Sequence, residues 1–183
     1  HWRLGRAGSA YVVNPFCLSR PPDATVPTCD LAFTRCRSMD AGEGEQIPTL
    51  GEVRAVVQGQ VKWLCELHGE GVENATIDAV RARGMTSEVY FTCFNMDRLD
   101  AVRGLGDDLL IGAILPDPEE IDFARALELG AAALGIQYRN LCLRQVERVP
   151  VAGLDQRAWH PAALTDQLAM IGHGLHGAHN PRP

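Results

Sequence analysis

Few residues in this chain pair a reactive side chain with a spacing that puts it to use. Glu66 lies within an apolar run, Val61 to Leu67, flanked by Cys65 and Leu67. A carboxylate that late in a strand-like segment is costly to desolvate unless a cation or hydrogen-bond donors meet it. Two readings stay open: a metal ligand, since hard cations such as magnesium and calcium suit oxygen donors, or a structural pair with a nearby arginine or a helix N-terminus. His68 follows two residues later and shares a face with Glu66 if the strand persists that far. Protonated, it can contact a phosphate, although imidazole is neutral much of the time near pH 7. A solvated loop histidine is the plainer alternative.

Other reactive groups carry less. His173, His176 and His179 recur at every third position, a spacing that binds zinc or copper when the backbone is ordered. The intervening glycines argue for a flexible tail instead. None of the six cysteines forms a C-x-x-C pair, which speaks against a zinc ribbon or a thioredoxin-type motif. Cys65 and Cys93 sit in apolar runs, where a free cysteine behaves as a small hydrophobe. Cys17, Cys29 and Cys36 lie in an irregular segment, and their spacing leaves any pairing open. Asn95 precedes a helical stretch and reads as its N-cap. Phe94 beside it reads as core, and so does Trp159.

The elements that must position these groups form a rhythm. Residues 1–48 are rich in proline and glycine and form an irregular N-terminal segment, with a short strand at Ala10 to Val13 and a short helix at Asp30 to Met39. Residues 49–183 alternate strand and helix. Thr49 and Glu52 make a capping box for a helix from Leu50 to about Gln58. Further helices are expected over Val72 to Ala82, closed by Gly84, over Met96 to Val102, and from Asp117-Pro118 to Leu129. The apolar side of the Val72 helix is assigned to Val72, Ala75, Ile77, Ala79 and Val80. Later helices are expected over Gln145 to Val149 and Pro161 to Ile171. Strands are expected from near residues 61, 88, 109, 131, 154 and 175. Leu109 to Leu115 hardly alternates, as in a strand buried on both faces. Such alternation implies parallel pairing through crossover helices, in a (β/α)8 barrel or an open doubly wound sheet. No G-x-G-x-x-G follows an early strand and no P-loop pattern occurs, which lowers the dinucleotide reading and removes the P-loop one.

Composition narrows the function classes. The 183 residues are 46% hydrophobic and 22% charged, ordinary for a globular domain. A net charge of −6 argues against nucleic acid and anionic lipid surfaces as partners. It does not exclude an anionic substrate, because a bound divalent cation inverts the local field. No apolar run is long enough for a transmembrane segment. No signal peptide is visible, so a cytoplasmic location is expected. The chain begins with His1 rather than Met, which keeps secretion open.

Five segments, in order, resemble the glycerophosphodiester phosphodiesterase family. Met39-Asp-Ala-Gly-Glu through Ile47-Pro-Thr-Leu-Gly-Glu-Val is similar to its "LDAG…IPTLEEV" stretch. Leu64-Cys-Glu-Leu-His-Gly-Glu resembles its E-x-K strand, and Thr92-Cys-Phe-Asn-Met its "SSFN". Ala152-Gly-Leu through Ala158-Trp159 resembles "AGL…VW", and Gly174-Leu-His-Gly through Asn180-Pro-Arg-Pro resembles "GVDGI…NRP". The resemblance implies a partial or divergent TIM (β/α)8 barrel with parallel strands. It implies metal-assisted hydrolysis of a small glycerophosphodiester substrate to an alcohol and glycerol 3-phosphate, a hydrolase activity of lipid metabolism. It assigns Glu66 to a divalent cation, magnesium or calcium, places His68 where the family carries lysine, and puts Trp159 and Asn95 against substrate.

Other family motifs are missing or altered. No Glu-x-Asp pair occurs in residues 1–30. Tyr11-Val-Val-Asn-Pro-Phe-Cys-Leu-Ser-Arg20 resembles "VVIHDPTLDR", with Val13 in place of the acid histidine and Asn14 in place of aspartate. Valine cannot transfer a proton. Activity in this chain is therefore expected to be weak or absent, the alternative being a noncatalytic barrel remnant that serves as a binding or interaction module. Because a complete barrel runs to about 250 residues, the family's early units are expected to be incomplete. Open strand edges, at Leu109 to Leu115 or at the final strand, then offer a template for a homodimer unless an N-terminal arm covers them.

Overall fold

The capping box forms as its residue types require. Thr49 Oγ1 accepts from the Glu52 backbone N–H at 3.1 Å, and Glu52 Oε2 accepts from the Thr49 N–H at 2.8 Å. Helix α1, Leu50–Val57, starts from it. Arg37 braces the same carboxylate, donating to Glu52 Oε1 at 2.7 Å. These donors hold the Glu52 carboxyl down at about 2, with Arg37 the larger cause and Thr49 the next.

These observations come from a computed structural model that describes residues 2–4, 10–12, 37–38, 44–57, 60–67, 71–117, 120–137, 139, 154–159 and 177–179. The expected helices over Asp30 to Met39, Gln145 to Val149 and Pro161 to Ile171 lie wholly or largely outside the described residues. The chain forms two units, His1–Val89 and Tyr90–Pro183.

In the first unit, β1 (Trp2–Leu4) pairs antiparallel with β2 (Ala10–Val12), with Trp2 opposite Val12 and Leu4 opposite Ala10. Strand β2 occupies the apolar run expected at Ala10, whereas β1 was not foreseen. Strand β3 spans Trp63–Glu66, shorter than the apolar run that contains it. The Trp63 N–H donates to Glu88 O at 2.8 Å, and the Lys62 ammonium donates to Ser87 O at 2.6 Å. Helix α2, Glu73–Arg81, buries Thr76, Ile77, Ala79 and Val80. Two expectations for its apolar side are corrected. Ala75 is exposed, because the helical period turns it off the stripe set by Thr76, Ile77 and Val80, and Val72 is the N-cap rather than a helical residue. Gly84 adopts φ 63, the left-handed conformation that a helix stop demands, and its N–H donates to Arg81 O at 2.9 Å.

The second unit carries a parallel sheet in sequence order. Strands β4 (Val89–Cys93, which the unit boundary cuts after its first residue), β5 (Leu110–Leu115), β6 (Ala133–Gln137), β7 (Asp155–Trp159) and β8 (Gly177–His179) each lie beside the next. Pairing is parallel throughout, for example Thr92 beside Gly112, Gly112 beside Ala133, Gly135 beside Arg157, and Arg157 beside Gly177. Helix α3 (Met96–Gly104) joins β4 to β5, and α4 (Glu120–Glu128) lies between β5 and β6. This is the βα succession that the spacing predicts.

The two faces of this sheet differ. Phe91, Cys93, Ile111, Ala113, Leu115, Leu134 and Ile136 are buried, together with Leu99 and Val102 of α3 and Phe123 and Ala126 of α4. Both helices lie against β5. On the opposite face Tyr90, Thr92, Gly112 and Ala133 are buried as well, whereas Leu110, Ile114, Gly135, Gln137, Asp155 and Arg157 are half-buried. Burying the helix-covered face is the main source of stability here, since each fully buried large apolar side chain contributes about 1.5–3 kcal/mol.

Two further expectations are corrected. Strand β5 pairs on both sides, with β4 and with β6, so Leu109 to Leu115 is interior and offers no edge. Phe94 is 47% exposed rather than core, because the buried pattern of β4 ends at Cys93 and the chain bends there.

Candidate ligand site at the strand ends

Glu66 is the last residue of β3. Alternation along the strand places it with half-buried Leu64, while Cys65 and Leu67 are buried. Burial pushes the Cys65 thiol well above its ordinary value, and the negative charge of Glu66 raises it further. That thiol therefore stays protonated and takes no nucleophilic role, since the thiolate is the reactive form. Cys93 is likewise buried, as a small hydrophobe in a strand should be.

Asn95 directly follows β4 and closes its turn into α3. Its Oδ1 accepts from Asp97 N–H at 2.9 Å and from Arg98 N–H at 3.2 Å, the N-cap geometry expected of it. Its own N–H donates to Cys93 Sγ at 3.4 Å. Trp159 is the last residue of β7, beside Gln137 at the end of β6. His68 lies outside the described residues, as do His160, His173 and His176, while His179 ends β8. Glu66, Asn95 and Trp159 thus hold equivalent places, each at or just past the C-terminal end of its own strand. In parallel βα folds that end is where ligands bind.

The described residues do not by themselves make a metal centre. No group of three or more His, Cys, Asp or Glu side chains among them could hold an ion. Magnesium and calcium take about six or more oxygen ligands, several of them from protein in a tight site, and Glu66 supplies one carboxylate. No helix among the described residues is long and apolar enough to cross a membrane.

A polar cluster that the sequence did not announce lies at the other ends of the strands. Tyr90, second in β4, donates its hydroxyl to Asp155 Oδ2, first in β7, at 3.2 Å. Arg157 Nη2 lies 3.6 Å from the same oxygen, and its guanidinium carbon stands 5.8 Å from the Tyr90 ring centroid. Burial raises the Tyr90 phenol, Asp155 adds to the rise, and Arg157 opposes it. One signal was present in the sequence: Asp155 and Arg157 alternate within a strand, so two charges occupy one face of a sheet.

The whole fold recurs in solved structures. A candidate glycerophosphodiester phosphodiesterase from Galdieria sulphuraria is similar with a TM-score of 0.85 at 19% identity, over 98% of this chain and 79% of that one. A phosphodiesterase from Oleispira antarctica, solved with the product sn-glycerol-3-phosphate, gives 0.80 at 22% identity over 98% and 78%. A glycerophosphodiester phosphodiesterase from Parabacteroides distasonis gives 0.75 at 17% identity over 98% and 76%. No protein-family model matches the sequence. No curated protein matches it either. At these identities the likeness establishes the fold, a parallel βα barrel architecture shared with phosphodiesterases, and agrees with the motif resemblance of the sequence.

Proposed function

We propose that this chain is a divergent phosphodiesterase-type barrel that takes a glycerophosphodiester, or its glycerol 3-phosphate product, at the C-terminal strand ends. The observation that carries the reading is Glu66, a half-buried carboxylate that closes a strand where ligands of parallel βα folds bind. The reading assigns Glu66 to a magnesium or calcium ion. His68, which follows Glu66 by two residues in sequence, is the candidate to act on the phosphate. A fold shared with an enzyme solved in complex with sn-glycerol-3-phosphate supports the substrate class.

Hydrolysis by this chain is proposed to be slow. Val13 and Asn14 stand where the family resemblance requires an acid histidine and a carboxylate, and neither can replace the proton donor. That departure favours a second reading, a noncatalytic barrel that retains ligand binding. Hydrolysis of glycerophosphocholine with magnesium or calcium separates the two when the chain is compared with Glu66→Ala. The enzyme reading expects a low rate that Glu66→Ala abolishes. Equal background rates leave the binding module alone.

A further inference from the structure

The Tyr90–Asp155 hydrogen bond joins strands that are not neighbours. Strands β5 and β6 lie between β4 and β7. Three strand spacings in a flat sheet separate backbones by about 14 Å, more than these side chains bridge when they project in parallel. The sheet must therefore curve, with the face that carries Tyr90 and Asp155 concave, to bring the two groups to 3.2 Å.

Small residues make room for this contact. Along the same face, Gly112 lies beside Thr92 and Ala133, and Gly135 and Gly177 flank Arg157 on either side. Even a methyl group at Gly112 would stand 3.1 Å from Thr92 Cγ2.

We propose that Tyr90, Asp155 and Arg157 form a latch across the concave face, and that Tyr90 and Asp155 are positioning residues for β7. Strand β7 needs such a device. Among the described residues it carries five register pairs with β6 on one side and three with β8 on the other. The latch grips its first residue, Asp155, and a rigid strand carries that constraint to Trp159 at the far end. Arg157, on the same strand, balances the Asp155 charge and covers the Tyr90 ring, so the hydroxyl has a fixed, charged acceptor. The inference concerns sheet geometry and stands whether or not the strand ends bind a phosphodiester.

Amide hydrogen exchange on the whole chain tests it. Tyr90→Phe removes only the hydroxyl and keeps the ring under Arg157. It should lower protection of the β7 and β8 amides about tenfold, as expected for losing a hydrogen bond to a charged acceptor. The amides of β5 and β6 should keep theirs. Asp155→Ala, which removes the acceptor of the same hydroxyl, should lower β7 and β8 protection by at least as much. Arg103→Ala, which removes hydrogen bonds from α3 to the carbonyls of Leu109, Leu129 and Gly130, should lower protection across all strands of the unit alike. Unchanged β7 exchange in Tyr90→Phe, or a loss spread evenly over β5 to β8 as in Arg103→Ala, overturns the latch.

Discussion

Arg103 sets the sharpest test of how the second unit is held together. Near the end of α3, its guanidinium donates to five backbone carbonyls. Nε reaches Leu129 O at 3.0 Å and Nη2 reaches Gly130 O at 3.0 Å, both just past α4. Nη1 reaches Leu109 O at 3.1 Å, Asp107 O at 3.2 Å and Gly106 O at 3.4 Å in the turn that enters β5. One side chain thus satisfies two carbonyls in the turn that follows α4 and pins the turn between α3 and β5. A hydrogen bond from a charged donor contributes about 1.5–3 kcal/mol when desolvated. Several of these carbonyls regain water when the side chain is removed, so Arg103→Ala should cost about 2–3 kcal/mol rather than the full sum. At roughly 2–4 °C per kcal/mol for a chain of this size, the melting temperature should fall by roughly 5–10 °C. Arg103→Lys should recover less than half of the loss, because one ammonium cannot fan out to carbonyls on two segments. Thermal denaturation followed by circular dichroism measures both. A melting temperature within about 1 °C of the parent for Arg103→Ala, or full recovery by lysine, refutes the reasoning.

Three further outcomes follow from local geometry. The Glu52 carboxyl is depressed to about 2 in the folded chain from an ordinary 4.5, so its contribution is complete above pH 4.5 and is lost as pH falls through about 2. Acid titration of helicity should show that loss in the parent and a flatter profile in Glu52→Gln, and Thr49→Ala should cost about 1 kcal/mol at neutral pH. Asn95→Ala should destabilise by about 1 kcal/mol through the lost cap, and Asn95→Asp, which keeps an acceptor, should restore the melting temperature. Gly112→Ala should destabilise by about 1 kcal/mol through contact with Thr92 and Ala133, and Thr92→Ser, which removes the methyl group nearest the new Cβ, should relieve most of that in thermal melts.

Local chemistry made much of the fold legible. Thr49 and Glu52 announce α1 because a capping box is satisfied within four residues. Asn95 announces α3 for the same reason, and the burial of Cys65 and Cys93 follows from their apolar neighbours. The strands of the parallel sheet follow from regular alternation of apolar runs with helical ones. What stayed hidden depends on contacts distant in sequence. Tyr90 and Asp155 are 65 residues apart, and no local pattern pairs them. Arg103 reaches 26 and 27 residues ahead to Leu129 and Gly130. Phe94 reads as core because it continues an apolar run, yet the strand stops one residue earlier. Leu109 to Leu115 reads as a candidate edge because an incomplete barrel has one somewhere, and only the pairing shows that β5 has neighbours on both sides. For the candidate site, Glu66 and Trp159 fall at strand ends as the resemblance implies, whereas Asn95 has a sufficient structural role in its cap.

The central claim is that the strand end closed by Glu66 takes a glycerol phosphate together with a divalent cation. Calorimetric titration of sn-glycerol 3-phosphate into the chain, with and without magnesium, and again with Glu66→Ala, measures it directly. The account predicts saturable binding that needs the cation and weakens at least about tenfold, or about 1.4 kcal/mol, in Glu66→Ala. Binding that ignores both magnesium and Glu66→Ala, or no binding heat by a chain shown to be folded, contradicts it.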